Sequence, residues 1–359
     1  MSNLQPPPNF SGLITFHQGN DLVESSTHGF RNLGESLPVT NHTRFGIASG
    51  AKGFTAVGIL KLVQDELLSL NTSVDPFFSD YSLDTRITVL HLLTHTSGIP
   101  DYFDEEVMDD YEQLWEQIPN YRVRQSSDFL PLFAGRPQVF APVNLSCFPS
   151  QDSDSQNGNQ HECQPVQHRQ QNLPELHYSN SAFILLARII ELVTRQDFPG
   201  YIQNNVFNKI GMDSSGYYGF DTLPADTALG YVYDEQRACY RSNIYSLPIF
   251  GGGDGGVYAT ADDMARFWSG LFEGKLLADG LVRAMTTPHS REPGGDAYGL
   301  GLWNLAQIPE VWFLQGADPG VVFYSFHHPG QNRTITFFGN QEGDWLYSQV
   351  DGLLGEWFR

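Results

Sequence analysis

The chain has 359 residues, of which 40% are hydrophobic and 13% aromatic, and its formal net charge is -21. This length and composition predict a folded globular protein with a sizeable buried core and exclude a disordered chain. The negative charge argues against binding to nucleic acids and to anionic membranes, because both demand a basic patch. We also find no apolar run long enough for a membrane span.

The cysteines and the first residues bear on the compartment. Three cysteines, an odd number, do not form a disulfide framework. The opening MSNLQPPPNFSG lacks a basic start followed by an apolar core, so we expect no signal peptide and a cytoplasmic location. If the natural protein carried a leader that this chain lacks, secretion would also be possible.

The first half of the chain opens with strands and continues with helices. Residues 10–30 predict two short strands around the turn-rich link at 17–20. From Gly53 to about Leu68, apolar residues recur at helical spacing, which predicts a helix with one stripe facing the core. A short helix is predicted in ITVLHLLTHTSGIPDYF, ended by Gly98, and a longer one at Ser181–Arg195.

The middle of the chain contains a segment that is rich in Gln, Asn and Ser and poor in aliphatic residues. We interpret it, at about residues 143–176, as an exposed insertion, and we expect 145–172 to be flexible and partly dispensable for folding. Its cysteines and histidines match no standard zinc spacing, so no metal is predicted at Cys147, His161, Cys163 and His168. A disulfide between its two cysteines would need an oxidising compartment.

The last third begins with a glycine-rich turn, LPIFGGGDGG, before a helix that Thr260 is placed to cap. The K-[ST] ending of a phosphate-binding loop is missing, so the glycines indicate tight backbone packing. VVFYSFHH and TITFFGN alternate as the two strands of a hairpin connected by HPGQNR. WLYSQVDGLLGEWF then predicts a C-terminal helix.

The order of strands, a long helical middle and strands fits an α+β fold. We expect an antiparallel sheet that is built from both chain ends and flanked by helices. Residues 1–359 would form a single domain, with a sheet part at about 10–50 and 245–359 and a helical part at about 51–244.

The stretch FGIASGAKGFTAVGILKL places Ser49 three residues before Lys52, where a helix begins. The chain has four lysines, and only this one follows a serine at that spacing. Residues i and i+3 share a helix face, so Lys52 can reach the hydroxyl, and burial would lower its pKa and let it act as a base. The Ser49 N–H lies where an oxyanion could form. The structural alternative is a helix cap at Ser49 with a solvated lysine.

Tyr178-Ser179-Asn180 is the only Y-x-N of the chain and precedes a predicted helix. The tyrosine can share or relay the proton of the serine, and the asparagine amide can hold a substrate carbonyl or the lysine. The structural alternative is a buried tyrosine followed by an asparagine helix cap.

S-x-x-K followed by Y-x-N resembles the serine β-lactamase and penicillin-binding-protein superfamily. The branch that it resembles most holds class C β-lactamases, D-alanyl-D-alanine carboxypeptidases and related esterases. Other stretches are similar to segments of that branch: HLLTHTSGIPDY at 91–102, FAP at 140–142, GGGDGGVYATADDMARF at 251–267 and YGLGLW at 298–303. The resemblance covers roughly residues 10–345, interrupted by the insertion, and implies the β-lactamase-like (DD-peptidase) fold.

The resemblance also implies roles for four residues. Ser49 would be the acylated nucleophile, and Lys52 the base or proton partner. Tyr178 would activate the serine and protonate the leaving group. Asn180 would orient the lysine and the substrate carbonyl.

The third motif of the family, K-[ST]-G or H-x-G, is poorly matched. Leu314-Gln315-Gly316 lies in its slot, and the Ala317 N–H would be the second oxyanion donor. No cation stands at Leu314, which weakens the case for a substrate carboxylate, whereas Gln315 can hydrogen-bond a neutral substrate. A rival H-x-G at 328–330 falls in the predicted hairpin turn.

Several other residues are weaker candidates. We interpret His95 as a structural hydrogen-bonding residue. Asp254 and Asp318 stand close to glycines, where aspartate commonly stabilises turns. Tyr102 and Trp312 are candidates to line the cleft.

These residues predict a serine hydrolase that acts through an acyl-enzyme on a small-molecule ester or amide, with an esterase favoured over a β-lactamase. Acyl transfer would use the same residues. The alternative from another class is an inactive member that keeps the fold for binding or regulation. No cofactor is implied, because lysine and tyrosine do the proton work, and the oligomeric state stays open.

Overall fold

The computed structural model describes residues 10–341 and 345–358, except 105–107, 109–110, 117 and 146–172. The predicted flexible segment and the candidate metal-ligating and disulfide-forming cysteines and histidines lie almost wholly outside the described residues. The hypotheses about them therefore stay predictions.

The strands and helices of the described residues follow the predicted order. The strands are β1 Gly12–Gln18, β2 Asp21–His28, β3 Phe30–Asn32, β4 Leu37–Pro38, β5 Phe45–Gly46, β6 Gly216–Tyr217, β7 Tyr231–Asp234, β8 Cys239–Ser242, β9 Val257–Ala259, β10 Ser290–Arg291, β11 Ala297–Tyr298, β12 Trp303–Asn304, β13 Trp312–Asp318, β14 Val321–His328 and β15 Arg333–Gly339. The helices are α1 Lys52–Gln64, α2 Val89–Leu93, α3 Ser126–Phe129, α4 Asn180–Thr194, α5 Phe198–Ile202, α6 Asn208–Ile210, α7 Ala261–Phe272, α8 Asp279–Met285 and α9 Trp345–Phe358.

Both chain ends contribute to one large sheet. Its eight strands lie in the order β10-β11-β12-β13-β14-β15-β1-β2, and each neighbouring pair is antiparallel. β1 pairs with β15 over its whole length, from Gly12 opposite Gly339 to Gln18 opposite Arg333. The predicted α+β fold is confirmed, because this sheet joins both chain ends and packs against helices.

The sheet buries both of its faces, which explains why the central strands β1 and β15 are buried almost throughout. Successive side chains of a strand point to opposite faces. On β1, Leu13 therefore joins the larger core with the helical middle, whereas Ile14 and Phe16 join a second core beneath α9. The ring of Phe16 meets that of Trp357 on α9 edge to face, with centroids 5.1 Å apart.

Helix α1 runs through the larger core, and here the expected single apolar stripe is wrong. Every residue from Lys52 to Leu60 is buried. Glycines permit this close packing: a Cβ on Gly53 would lie 2.7 Å from Leu314, and one on Gly58 would lie 2.8 Å from Ile202. A helix surrounded by protein keeps apolar residues on all sides, so periodicity alone does not reveal it.

Three local predictions from the last third of the chain are confirmed. Thr260 caps α7, because its hydroxyl accepts the N–H of Asp263 at 3.3 Å. β14 and β15 form the predicted hairpin, and α9 is the predicted C-terminal helix. Within the described part of the chain, no helix has the length and hydropathy that a membrane crossing requires.

Candidate active site

Ser49 lies in a tight 3-10 turn, Ala48–Ala51, that leads directly into α1. Ala48 adopts a left-handed backbone with φ of 44°, which costs a residue with a Cβ about 1–3 kcal/mol. Gly50 has no room for a side chain, because its Cβ would lie 2.4 Å from the ring of Phe323. The turn is thus held between the sheet and α1, and Ser49 lines a large cleft.

Lys52 is the first residue of α1, and its side chain is almost completely buried, with 2% exposure. Its Nζ donates to the Ser49 Oγ at 2.9 Å, to the Asn180 Oδ1 at 2.7 Å and to the backbone oxygen of Asp254 at 2.9 Å. Three acceptors match the three N–H bonds of an ammonium group. The structural alternative, a solvated lysine, is therefore wrong, and Ser49 makes no side-chain helix cap.

Burial tunes the acidity of this lysine. Desolvation lowers the pKa of Lys52 to about 8, while the negative charges of Asp254, Asp101 and Asp318 oppose that shift. A lysine near this pKa is partly neutral close to neutral pH, so it can accept a proton. The neighbouring imidazole of His95 has a pKa well below its ordinary value, because it is buried and faces the lysine, and it stays neutral.

Asn180 meets Lys52 because α4 begins at this residue. The cap of α4 is Ser179, whose hydroxyl accepts the N–H of Ala182 at 3.2 Å, so the alternative that made asparagine the cap is wrong. Because Asn180 does not cap the helix, its side-chain Oδ1 is able to accept a hydrogen bond from the Lys52 Nζ. Its Nδ2 donates to Asp101 at 3.0 Å, which fixes the orientation of the amide.

Tyr178 stands over the serine and the lysine. Its hydroxyl hydrogen-bonds Ser49, and the Lys52 Nζ lies 4.8 Å from its ring centroid. The side chain is not buried as the structural alternative expected, since 37% of the residue is exposed. Its hydroxyl nevertheless points inward, and desolvation raises the pKa of Tyr178 far above its ordinary value, so that it is a neutral proton donor.

His95 supports Tyr178. The two rings stack with centroids 4.4 Å apart, and the His95 Nδ1 accepts the N–H of Ser179 at 3.1 Å. His95 thus holds Tyr178 and the backbone of Ser179 in place, in agreement with the structural role that we expected. The ring of Trp303 also lies nearly parallel to that of Tyr178, with the two centroids 6.4 Å apart.

The sequence analysis did not identify two carboxylates close to Lys52, those of the buried Asp254 and the half-buried Asp101. Asp254, interpreted as a turn residue, is 5% exposed and accepts a hydrogen bond from the Tyr102 hydroxyl at 2.5 Å. Asp101 accepts the backbone N–H of Asn180 at 3.0 Å. Burial raises the pKa of Asp254, and it raises that of Asp101 to about 7. The sequence did contain a signal for Asp254, because a single charged residue within the glycine run GGGDGG is unusual for a simple turn.

Strand β13 brings the poorly matched third motif to the serine. Leu314 points away from solvent and packs on Gly53 of α1. Gln315, Gly316 and Ala317 line the same cleft as Ser49. The rival motif at 328–330 begins at the last residue of β14 and continues into the turn before β15, and it is absent from the described residues that line the cleft.

Gly316 sets the spacing between β13 and the Ser49 turn. A Cβ there would lie 2.3 Å from the backbone oxygen of Ile47 and 2.7 Å from the Ser49 nitrogen. We expect Gly316→Ala to force β13 away from the serine and to lower kcat/KM for an activated ester about 10- to 100-fold, because a displacement of about 1 Å at a reacting group can cost a factor of about a hundred in rate. Steady-state kinetics and the melting temperature measure this.

Gly339→Ala is the matched control for that prediction. Gly339 lines the same cleft, but its Cβ would have only ordinary contacts, the nearest 3.5 Å from Val322. Equal effects of the two substitutions would contradict the proposed role of the Gly316 contact.

The cleft that holds these residues has a volume of about 1380 Å³. Tyr102 lines it, as we expected. Trp312 is not among its described lining residues, because it packs against Gly299, and Trp303 faces the cleft in its place.

Comparisons with known proteins agree with this geometry. The family model described as Beta-lactamase matches residues 11–349. The chain is 25% identical to penicillin-binding protein 4* of Bacillus subtilis, over 95% of this chain and 70% of that one. A penicillin binding protein from Bacillus halodurans superposes with a TM-score of 0.82 at 37% identity, covering 96% of this chain and 97% of that one. The D-amino acid amidase of Ochrobactrum anthropi, at 20% identity, shares the fold with a TM-score of 0.69 over 93% of this chain and 86% of that one.

Proposed function

Because the chain belongs to the beta-lactamase family, a family of serine hydrolases, we propose that it hydrolyses esters and amides through an acyl-enzyme on Ser49. The observation that carries this proposal is the buried amino group of Lys52, which lies 2.9 Å from the Ser49 Oγ and has its pKa lowered to about 8, so that a neutral, basic fraction exists near neutral pH. A serine hydroxyl becomes a useful nucleophile when such a base removes its proton.

The proposed reaction has two halves. Neutral Lys52 takes the proton of Ser49 as the oxygen attacks the substrate carbonyl, and the resulting oxyanion is stabilised by the N–H groups of Ser49 and Ala317. Tyr178 gives its proton to the leaving oxygen or nitrogen and regains one from Lys52. In the second half, Tyr178 and Lys52 take a proton from water as it attacks the acyl carbonyl. They return a proton to the Ser49 oxygen, which releases the carboxylic acid.

The third motif suggests which substrates fit. With Leu314 buried against α1, no cation stands where the family holds a substrate carboxylate. We therefore favour small esters first, then peptides or amides of D-amino acids, and β-lactams last. The likeness to a D-amino acid amidase supports keeping amides in this set.

Intact-protein mass spectrometry tests the proposal. The protein is mixed briefly with p-nitrophenyl acetate, a penicillin or a cephalosporin, and proteolytic mapping locates any adduct. We expect acetyl on the peptide that contains Ser49, together with release of p-nitrophenol. Folded protein that gains no adduct and releases no p-nitrophenol would favour the inactive, ligand-binding alternative.

The pH dependence of acylation follows from Lys52. Its pKa is lowered to about 8, so the neutral base is the minor form below that pH and the major form above it. We expect kcat/KM for p-nitrophenyl acetate to rise about tenfold per pH unit below pH 8 and to level off above it. A rate that is constant from pH 6 to 9, after correction for spontaneous hydrolysis, would be inconsistent with lysine as the base.

A further inference from the structure

The glycine-rich turn at 251–256 carries one buried carboxylate next to the proposed base. Asp254 is 5% exposed. Its backbone oxygen accepts a hydrogen bond from the Lys52 Nζ at 2.9 Å, and its carboxylate accepts one from the hydroxyl of Tyr102 at 2.5 Å. The proton path of the proposed reaction gives this carboxylate no task, although burying an unbalanced charge destabilises a protein strongly.

The turn that carries Asp254 is held in place by both helices of the site. On α1, the Thr55 hydroxyl donates to the backbone oxygen of Gly253 at 2.6 Å. On α4, the backbone oxygen of Phe183 lies so close that it would be 2.4 Å from a Cβ on Gly253. These contacts leave the turn little freedom, so Asp254 keeps its carbonyl and its charge close to Lys52.

Tyr102 favours the ionised form of Asp254. Burial and the charge of Asp254 hold the pKa of Tyr102 well above its ordinary value, so its hydroxyl stays a donor, which stabilises a carboxylate. Burial raises the pKa of Asp254, whereas Lys52 and Tyr102 oppose that rise. Lys52 is the only cation among the described titratable groups that face this carboxylate. The others are Asp101, Tyr102, Tyr111, Tyr178 and Tyr217.

The lysine needs a negative charge close to it in order to work as a base. When the Lys52 amine accepts a proton, an ammonium forms on a residue that is only 2% exposed, where water does not solvate it. Three described carboxylates raise the pKa of Lys52, and Asp254 has the largest effect, ahead of Asp101 and Asp318. The adjacent His95 stays neutral and supplies no charge of either sign.

We propose that Asp254 is a positioning residue for the general base: its backbone oxygen fixes the Lys52 Nζ, and its carboxylate balances the positive charge that the lysine gains when it takes the Ser49 proton. Asp254 itself stays ionised and neither gives nor takes a proton. This inference rests on the proposed acyl-enzyme function. It adds the group that sets the basicity of Lys52, and therefore the pH range in which the site works.

NMR titration of the lysines tests the charge directly. The chain has four lysines, so ¹³C labelling of lysine Cε gives one signal for each, and the signal that disappears in Lys52→Met belongs to Lys52. We expect it to titrate near pH 8 in the wild type. In Asp254→Asn, which keeps the shape and the backbone oxygen, we expect a midpoint about one to two pH units lower. A midpoint that stays at the wild-type value or rises overturns the proposal.

The pH profile of ester hydrolysis gives a second readout. A less basic lysine is neutral over a wider pH range but is a weaker base. For p-nitrophenyl acetate, we therefore expect kcat/KM of Asp254→Asn to lie below the wild-type value at pH 9, but to equal or exceed it at pH 6. A loss by the same factor at both pH values would show a structural effect alone and would contradict the proposal.

Two further variants serve as controls. Asp254→Ser also removes the charge and keeps the backbone oxygen, so it must lower the Lys52 midpoint too, and it carries the test if the asparagine variant does not fold. Glu292→Gln removes a carboxylate that lines the same cleft but is not among the described groups that shift the pKa of Lys52. We expect the wild-type midpoint there, and an equal shift would show a diffuse effect of charge and overturn the specific role.

The titration requires no turnover, so the two proposals fail separately. Acetylation of the Ser49 peptide by p-nitrophenyl acetate is recorded in parallel. A lowered midpoint in Asp254→Asn, with no acetylation of the wild type, would support the charge balance and contradict the hydrolase. Acetylation of the wild type with an unchanged midpoint in the variant would contradict only the role of Asp254.

Discussion

Ser49→Ala is expected to abolish the covalent acetyl adduct and to lower hydrolysis of p-nitrophenyl acetate by roughly a thousandfold or more, since removal of an attacking hydroxyl leaves only binding and oxyanion stabilisation. The hydroxyl accepts one hydrogen bond from Lys52, which keeps two other acceptors. We therefore expect a small change in melting temperature. Intact mass, p-nitrophenol release and thermal unfolding measure the three effects.

Ser246→Ala provides the matched control for that substitution. Ser246 is a second serine of the cleft lining, but its hydroxyl donates to Glu112 at 2.7 Å and has no lysine at hydrogen-bond distance among the described residues. Full labelling is expected to persist in this variant. An adduct that survives Ser49→Ala would mean that another nucleophile reacts.

Lys52→Met is expected to lower kcat/KM for the same ester by about 10²- to 10⁴-fold, the usual contribution of a general base. Methionine has nearly the length of lysine and suits the buried position, so the helix is preserved. The substitution removes the donor from the Asn180 Oδ1 and the Asp254 backbone oxygen, and each unpaired acceptor costs about 1–3 kcal/mol. The two costs together reach about 2–6 kcal/mol of stability, so the melting temperature is measured beside kcat/KM to show that the variant is folded in the assay.

Lys61→Met tests whether that loss belongs to the site. It is the same change on the same helix, at a lysine whose Nζ donates to the backbone oxygen of Leu276 at 3.1 Å. We expect near wild-type kinetics. If Lys52→Met retained the rate and the rising pH profile, lysine would be excluded as the base.

The sequence alone predicted the motif residues and the order of elements, because both depend on local pattern. S-x-x-K places Ser49 and Lys52 on adjacent turns wherever a helix begins, and Y-x-N precedes a helix that hydrophobic periodicity reveals. The alternation of β14 and β15 specified their hairpin in the same way. In each case the signal lies within a few residues of chain.

Only the tertiary structure decided what surrounds these residues. Asp254 lies 202 positions from Lys52, and Asn180 lies 128 positions away, so the lysine's hydrogen bonds and lowered pKa depend on contacts between distant segments. The all-round burial of α1 likewise requires the sheet and the other helices around it. Sequence pattern determined which groups this protein brings to the chemistry. Long-range packing determined their charge, orientation and neighbours, because desolvation and hydrogen bonding act across space and not along the chain.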